Sequence, residues 1–206
     1  MNPFEQGTAN YLSEQQRQSI KKKHIGIGGA GGLGSNIAVL LVRSGFTHFE
    51  IIDHDIIEPS NLNRQHYNLD DLARPKVHAI KEHLLKINPS SDITTHQIKW
   101  TISNANHFFT DCDFVIEAFD AAKTKQLFVE HYQTKTSYVI SGSGLAGRSS
   151  VKILQIKKLK NIYIVGDYQT AVDEKHPPLA PRVTQCAAIM AGIVLNLSLN
   201  NAPNDP

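Results

Sequence analysis

The run Gly29-Ala30-Gly31-Gly32-Leu33-Gly34 lies between an apolar segment, His24 to Gly28, and a helix-patterned one, Ser35 to Ser44. The order is strand, turn, helix, and the spacing is G-x-G-x-x-G. Gly29 permits the tight turn, Gly31 lets the main chain approach a phosphate, and Gly34 lets the helix pack on the strand. The helix start offers unpaired N–H groups and a positive dipole end. Asp53 closes the next apolar segment about 20 residues on, where a carboxylate accepts hydrogen bonds from ribose hydroxyls. These residues point to a bound nucleotide. NAD, FAD, S-adenosylmethionine and ATP all satisfy them.

The residues beyond Asp53 narrow the choice. In Asp53-His54-Asp55-Ile56-Ile57-Glu58-Pro59-Ser60-Asn61-Leu62-Asn63-Arg64-Gln65, a polar loop puts Asn61, Asn63 and Arg64 at the carboxyl edge of the expected sheet. Such edges bind ligands. Arg74-Pro75-Lys76 follows, with Lys76 in a first helical turn. A cation there opposes the helix dipole and is better placed beside an anion. Phe119-Asp120-Ala121 adds a carboxylate after the fourth strand. Arg and Lys suit a triphosphate, and an acid suits Mg²⁺. A hydride-transfer enzyme binds a diphosphate and leaves Arg64, Lys76 and Asp120 unused.

Alternating patterns must position these groups. Ser13 and Gln16 form a capping box opening a polar helix to about Lys22. Strands are expected at His24–Gly28, Phe49–Asp53, Ile93–Ile98, Phe114–Glu117 and Tyr138–Gly142. Helices are expected at Ser35–Ser44, from Pro75 to about Asn88, at Asn104–Thr110 and at Ala121–Tyr132. Val77, Ile80, Leu84 and Ile87 give the second of these its buried stripe. Alternation of this kind predicts an α/β, Rossmann-like, doubly wound and mostly parallel sheet. After Gly144 the pattern changes. Ser150–Ile156 and Asn161–Val165 read as added antiparallel strands, and Arg182 to Leu199 as an apolar helix.

The chain has 206 residues, a net charge of +2, 41 % apolar and 19 % charged residues. One domain, 1–206, is expected. The near-neutral charge offers no clustered basic face for nucleic acid. Two cysteines, Cys112 and Cys186, exclude a disulfide framework and favour a reducing compartment. No leader-like apolar region opens the chain, and uninterrupted apolar runs such as Ile37–Val42 are far short of a membrane span. A cytoplasmic protein with no membrane contact is expected.

The motifs together resemble the ThiF/MoeB/HesA group, bacterial relatives of ubiquitin-activating enzymes. The resemblance rests on GAGGLGSN (Gly29–Asn36), IIDHDIIEPSNLNRQ (Ile51–Gln65), RPK (Arg74–Lys76), KINP (Lys86–Pro89), EAFDAA (Glu117–Ala122) and PPLAPRV (Pro177–Val183). It covers roughly Ile25 to Leu197 and is most similar to short ThiF-type proteins. It implies ATP-dependent adenylation of the C-terminal glycine carboxylate of a small ubiquitin-like, ThiS-like sulfur carrier ending in Gly-Gly, for thiamine biosynthesis. By motif position Gly29, Gly31, Gly32 and Gly34 line the phosphate loop and Asp53 holds the ribose. Asn61, Arg64 and Lys76 contact the phosphates, Asp120 binds Mg²⁺, and Asp55 joins the nucleotide-facing set. Arg64, Lys76 and Asp120 are the residues expected to carry catalysis.

The resemblance also implies a crossover loop at about 163–181 and a homodimer. Unlike many relatives, the chain lacks paired C-x-x-C motifs, so no zinc site is expected. Tyr163 to Pro178 contains no cysteine, so no thioester step is expected, and Cys186 is read as packing. Arg17 occupies the region from which an N-terminal arginine reaches a second subunit in some relatives. Other readings are a nicotinamide or flavin oxidoreductase, and activation of another substrate such as a molybdopterin synthase small subunit, a peptide or a tRNA base. The short C-terminal part is taken to speak against tRNA-acting relatives, which tend to be longer.

Overall fold

Apolar, β-branched runs pair side by side into one sheet. The computed structural model describes residues 2–144, 146–147, 154–170, 173 and 175–200. Its strands are β1 (His24–Gly28), β2 (His48–Asp53), β3 (Asp92–Gln97), β4 (Phe114–Glu117), β5 (Tyr138–Gly142), β6 (Gln155–Leu159) and β7 (Ile162–Gly166). They lie in the order β3-β2-β1-β4-β5-β7-β6. All run parallel except β6, which pairs antiparallel with β7. The winding reverses between β1 and β4, so the loops leaving these two strands open a crevice at the carboxyl edge.

The helices are α1 (Pro3–Thr8), α2 (Glu14–Lys21), α3 (Gly32–Arg43), α4 (Lys76–Ile87), α5 (Ala122–Tyr132) and α6 (Ala180–Asn200). Side chains alternate along β1. Ile25 and Ile27 join the cluster that includes Ile37, Leu41, Ile80, Ala187 and Met190 from α3, α4 and α6. Gly26 and Gly28 face the other way, toward the rings of Phe109 and Phe128. That second core contains Trp100, Phe109, Phe128 and Tyr132.

Several elements differ from the pattern expected. The Asn104–Thr110 helix is only a 3-10 turn, Ala105–His107. Asn104 Oδ1 accepts from Thr101 N at 2.8 Å, and Phe109 has φ 59°, which a continuing helix cannot accommodate. The strand expected at Asn161–Val165 is β7, but it also pairs parallel with β5. It occupies the start of the expected crossover loop, which therefore begins after Gly166. Ser150 to Ile153 lie outside the described residues. α3 begins at Gly32 rather than Ser35, and α1 is capped by Asn2 and Glu5 without any buried residue.

α6 begins at Ala180, packs on α3 and buries Val183, Cys186, Ala187, Met190 and Val194 in the shared core. By length and composition it could cross a membrane, which the search for uninterrupted apolar runs missed. Its first turn is anchored by a buried ion pair, Arg182 Nη2 to Asp167 Oδ2 at 2.7 Å. Burial acts against the ionised Asp167 carboxylate. Bonds from the Thr170 hydroxyl, the Thr170 and Gln169 N–H groups and Arg182 outweigh it and lower the pKa to about 2. A carboxylate with a lowered folded-state pKa stabilises the fold above its ordinary value of 3.8 and loses that contribution as pH falls toward 2. Asp167→Asn is therefore expected to remove about 2 kcal/mol at neutral pH. Urea unfolding should show wild type and variant converging between pH 4 and 2; a difference independent of pH would contradict it.

Candidate nucleotide-binding site

Turns leaving β1, β2, β3 and β4 enclose a cavity of about 260 Å³. Six of the expected residues line it: Gly29, Gly31, Asp53, Asp55, Lys76 and Asp120. His54, Lys99, Trp100, Phe119 and Thr124, with Ala118 and Ala121, complete its walls.

Gly29 has φ +100°, and a Cβ there would lie 2.8 Å from the Ala118 carbonyl oxygen. A Cβ on Gly34 would stand 1.8 Å from the Gly29 carbonyl oxygen, so Gly34 serves helix-to-strand packing. Gly31 is the N-cap of α3 and makes no side-chain cap bond. Its exposed side is open, with nothing closer than 3.9 Å to a built Cβ. Gly32 lies outside the cavity wall, against Val183 and Arg64. The amino end of α3 thus presents bare main chain to the crevice, a setting that favours an anion.

Asp53 is buried and binds main chain with both oxygens. Oδ2 accepts from Ala30 N at 2.6 Å and Oδ1 from Asp55 N at 2.8 Å. It ties the glycine loop to the loop after β2 while still lining the cavity. Tyr67 adds a second tie: its hydroxyl lies 2.7 Å from Ala30 O and 3.3 Å from Lys76 O. Burial, with the nearby Asp53, Asp71 and Asp55 charges, raises the Tyr67 pKa well above its ordinary value, so it stays a neutral hydroxyl. Lys76 is the first residue of α4, after Pro75 as N-cap. Its Nζ meets Asp55 Oδ2 at 2.8 Å; the lysine side chain is 7 % exposed and the aspartate 48 %.

Asn61 and Arg64 lie beyond the cavity wall. Asn61 is buried in the 3-10 turn Pro59–Asn61, with Oδ1 accepting from Glu58 N at 3.0 Å. Arg64 Nη1 donates to Ser60 O at 3.0 Å and Asn63 Oδ1 at 2.9 Å, while its Cγ stands 3.5 Å from a Cβ built on Gly32. It therefore sits over the amino end of α3 with local partners only. Asp120 is exposed and makes no hydrogen bond or ion pair among the described residues. Asp53, His54 and Asp55 bring three possible metal-ligating atoms within 4.8 Å of one another.

Beneath Asp120 lies a network that pattern reading overlooked. Glu117 is fully buried at the end of β4. Its carboxylate accepts from Phe119 N at 2.7 Å and Ser141 Oγ at 2.6 Å, and pairs with Lys125 Nζ at 2.7 Å. Lys125 also donates to Phe119 O at 2.9 Å. The turn carrying Asp120 is thus held from below by a charge pair whose polar atoms are satisfied. A charged residue closing the apolar run Phe-Val-Ile-Glu was the available signal. Lys99 and Trp100, two and three residues beyond β3, were missed because no motif or hydrophobic period covers the segment after that strand.

Both cysteines are buried. Burial pushes the Cys186 thiol up to about 12, and burial with nearby Glu50 also raises Cys112. Neither has the exposed, cationic setting of a reactive thiolate. Arg17 pairs with Glu14 on α2 and donates to Leu12 O at 3.4 Å.

Comparison with known proteins agrees with this geometry. A stretch of 152 residues is 36 % identical to tRNA threonylcarbamoyladenosine dehydratase 1 of Saccharomyces cerevisiae, covering 70 % of this chain and 35 % of that protein. Another of 174 residues is 31 % identical to the adenylyltransferase and sulfurtransferase uba4 of Ogataea parapolymorpha, covering 84 % and 43 %. The chain spans about two fifths or less of the length of these two relatives. Among solved structures, the E. coli tRNA N6-threonylcarbamoyladenosine dehydratase TcdA in complex with ATP superposes with a TM-score of 0.84 at 22 % identity, covering 96 % of this chain and 94 % of that one. E. coli MccB with ATP gives 0.71 at 22 % identity, covering 90 % and 59 %. These structural likenesses establish the fold. The ThiF family model matches residues 6–204, and the chain belongs to the ThiF family.

Proposed function

We propose that this chain transfers the adenylyl group of ATP to a carboxylate. One observation carries the proposal: a single crevice combines the bare amino end of α3 with Lys76 and the unpaired Asp120. A substrate carboxylate oxygen attacks the α-phosphorus. The bond from that phosphorus to the bridging oxygen breaks, and pyrophosphate leaves with its electron pair. No general base is needed, because a carboxylate is ionised at neutral pH. Negative charge grows on phosphate oxygens, and fixed donors and cations there lower the barrier. Asp53 orients the ribose, α3 and Lys76 receive phosphate oxygens, and Arg64 and Asn61 approach from the rim. The exposed carboxylate of Asp120, helped by half-exposed Asp55, suits a hard, oxygen-preferring cation such as Mg²⁺. Mg²⁺ held there would neutralise charge on the departing pyrophosphate.

The first substrate reading is a ThiS-like sulfur carrier ending in Gly-Gly, which would place the reaction in thiamine biosynthesis in the cytoplasm. The likeness to an adenylyltransferase and sulfurtransferase supports a carrier of this type. The likeness to the dehydratases favours a second reading, a threonylcarbamoyl-modified tRNA base, whose threonyl group also ends in a carboxylate. Length does not decide between the readings: the match covers 35 % of the yeast dehydratase but 94 % of the TcdA chain.

Exchange of labelled pyrophosphate into ATP tests both. Exchange is expected only when the true carboxylate substrate, the carrier or the modified tRNA, is added. Exchange with neither, alongside tight NAD(H) binding and no ATP binding, would instead favour an oxidoreductase.

A further inference from the structure

A second cleft, of about 360 Å³, lies toward the opposite end of the strands from the nucleotide site. His24, His48 and Asp92 line it, and each is the first residue of its strand, β1, β2 and β3. In the parallel register His24 stands beside His48, and His48 beside Asp92. Register partners share one face of the sheet, with neighbouring strands about 4.8 Å apart. The row therefore reads imidazole, imidazole, carboxylate. Among the described residues no Lys or Arg lines this cleft, while Glu50 and Asp111 add negative charge. Glu50 is already engaged, with Oε1 3.0 Å from His96 Nε2 and Oε2 accepting from Phe109 N at 2.9 Å.

The row itself is not engaged. His48 Nδ1 lies 2.9 Å from Lys21 O. A carbonyl only accepts, so Nδ1 carries the proton and the lone pair of the neutral ring sits on Nε2. That nitrogen has no hydrogen-bond partner among the described residues, and neither do the ring nitrogens of His24 or the carboxylate of Asp92. A ring nitrogen tied to a main-chain carbonyl, with the other left open, is the usual orientation of a metal-ligating histidine. The His24 and His48 rings are stacked, with centroids 4.8 Å apart and planes within 11°, so their edges run side by side. We propose that His24, His48 and Asp92 bind a divalent transition-metal ion of the Zn²⁺ class, with water completing the coordination. Two imidazoles and one carboxylate suit such ions better than Mg²⁺ or Ca²⁺. The three ligand atoms do not yet lie within 4.8 Å of one another, as those of Asp53, His54 and Asp55 do. His24 and Asp92 are exposed and turn toward the anchored His48 when the ion binds. The site differs from a cysteine-built zinc clip. It would join the starts of three strands and, through Lys21 O, the end of α2.

Calorimetry with ZnCl₂ on the full chain tests this, comparing wild type with His24→Gln, His48→Gln and Asp92→Asn, and with His96→Gln as a control from the same cleft. His24→Gln and His48→Gln are each expected to weaken Zn²⁺ binding by about 10²-fold or more, because loss of even an outer partner of a metal ligand costs 10- to 100-fold. Asp92→Asn should weaken it about tenfold, and His96→Gln should leave it unchanged. Zn²⁺ should raise the melting temperature of wild type and not of the two ligand-histidine variants. With Cu²⁺ as the probe, electron paramagnetic resonance should report two coordinated imidazole nitrogens in wild type and one in His24→Gln. ATP affinity should be unaffected by all four substitutions, so the result stands apart from the nucleotide reading. Zn²⁺ held as tightly by the His24→Gln/His48→Gln double variant overturns the proposal and moves the ion elsewhere, as to Asp53, His54 and Asp55. Equal weakening in His96→Gln overturns it too, as does a wild type that binds no Zn²⁺.

Discussion

Lys76→Ala is expected to lower substrate-dependent pyrophosphate exchange by about 10²-fold or more, the effect of removing one electrostatic donor from a developing oxyanion. The expectation follows from burial as much as from charge. Lys76 is 7 % exposed, so its ammonium meets little competing water and keeps its strength toward a phosphate. Its anchor is α4 itself, fastened by Tyr67 to the glycine loop. The fold should tolerate the change, because the abandoned Asp55 carboxylate is 48 % exposed and can hydrate. Melting temperature should therefore move little while exchange collapses. Lys76→Arg should rescue poorly, since a planar guanidinium needs a wider channel than a compact ammonium. Arg64→Ala is expected to reach a similar loss by a different route. Arg64 must release Ser60 and Asn63 before it can meet phosphate, so its removal should weaken exchange without touching stability. Full exchange in Lys76→Ala would remove Lys76 from the chemistry.

Gly34→Ala is expected to damage the fold rather than the chemistry. The added methyl would lie 1.8 Å from the Gly29 carbonyl oxygen. Neither atom belongs to a flexible side chain, so β1 and α3 must separate. A loss of about 3 kcal/mol is the expected scale for overpacking of this kind. Gly31→Ala provides the contrast. Its methyl has 3.9 Å of clearance, so the protein should fold normally, yet the methyl enters the cavity where a phosphate approaches. Urea unfolding and ATP titration separate the two: Gly34→Ala moves the first, Gly31→Ala the second. A Gly34→Ala protein as stable as wild type would mean the close contact relaxes without penalty.

Legibility in the sequence followed physical range. β1, β2, β4 and β5, and α3 to α6, could be located because burial imprints a period on neighbouring residues. The glycine loop was legible for the same reason: its tasks are local. α1 left no trace because none of its residues is buried and no period forms. Phe109 with positive φ gave no warning, since the turn is imposed by Asn104 and the aromatic core around it. Within the site, Asp53, Lys76 and Asp120 were found by motif and lie together in the cavity. Tyr67 was invisible because its partner, Ala30 O, is 37 positions earlier and belongs to main chain. Glu117 and Lys125 were overlooked because each alone looks like an ordinary strand-end or helix-surface charge, and only the sheet brings Ser141 beside them. Lys99 and Trp100 reach the cavity through strand order, which places β3 at one edge.

The contact between Lys76 and Asp55 has a consequence for how a polyanion enters. Without nucleotide the buried ammonium already has a counter-ion, so its charge is never stranded in the interior. An arriving phosphate does not neutralise an empty positive site. It displaces the 48 % exposed Asp55 carboxylate, which is then free to hydrate or to help hold a cation. Binding is therefore an exchange of one anion for another, and the net electrostatic gain is the difference between them. Simple inorganic anions compete poorly on those terms, whereas a ligand that also engages the α3 end and the Asp53 carboxylate can win. The internal carboxylate acts as a threshold, set by the protein itself, that only a ligand with several simultaneous contacts exceeds.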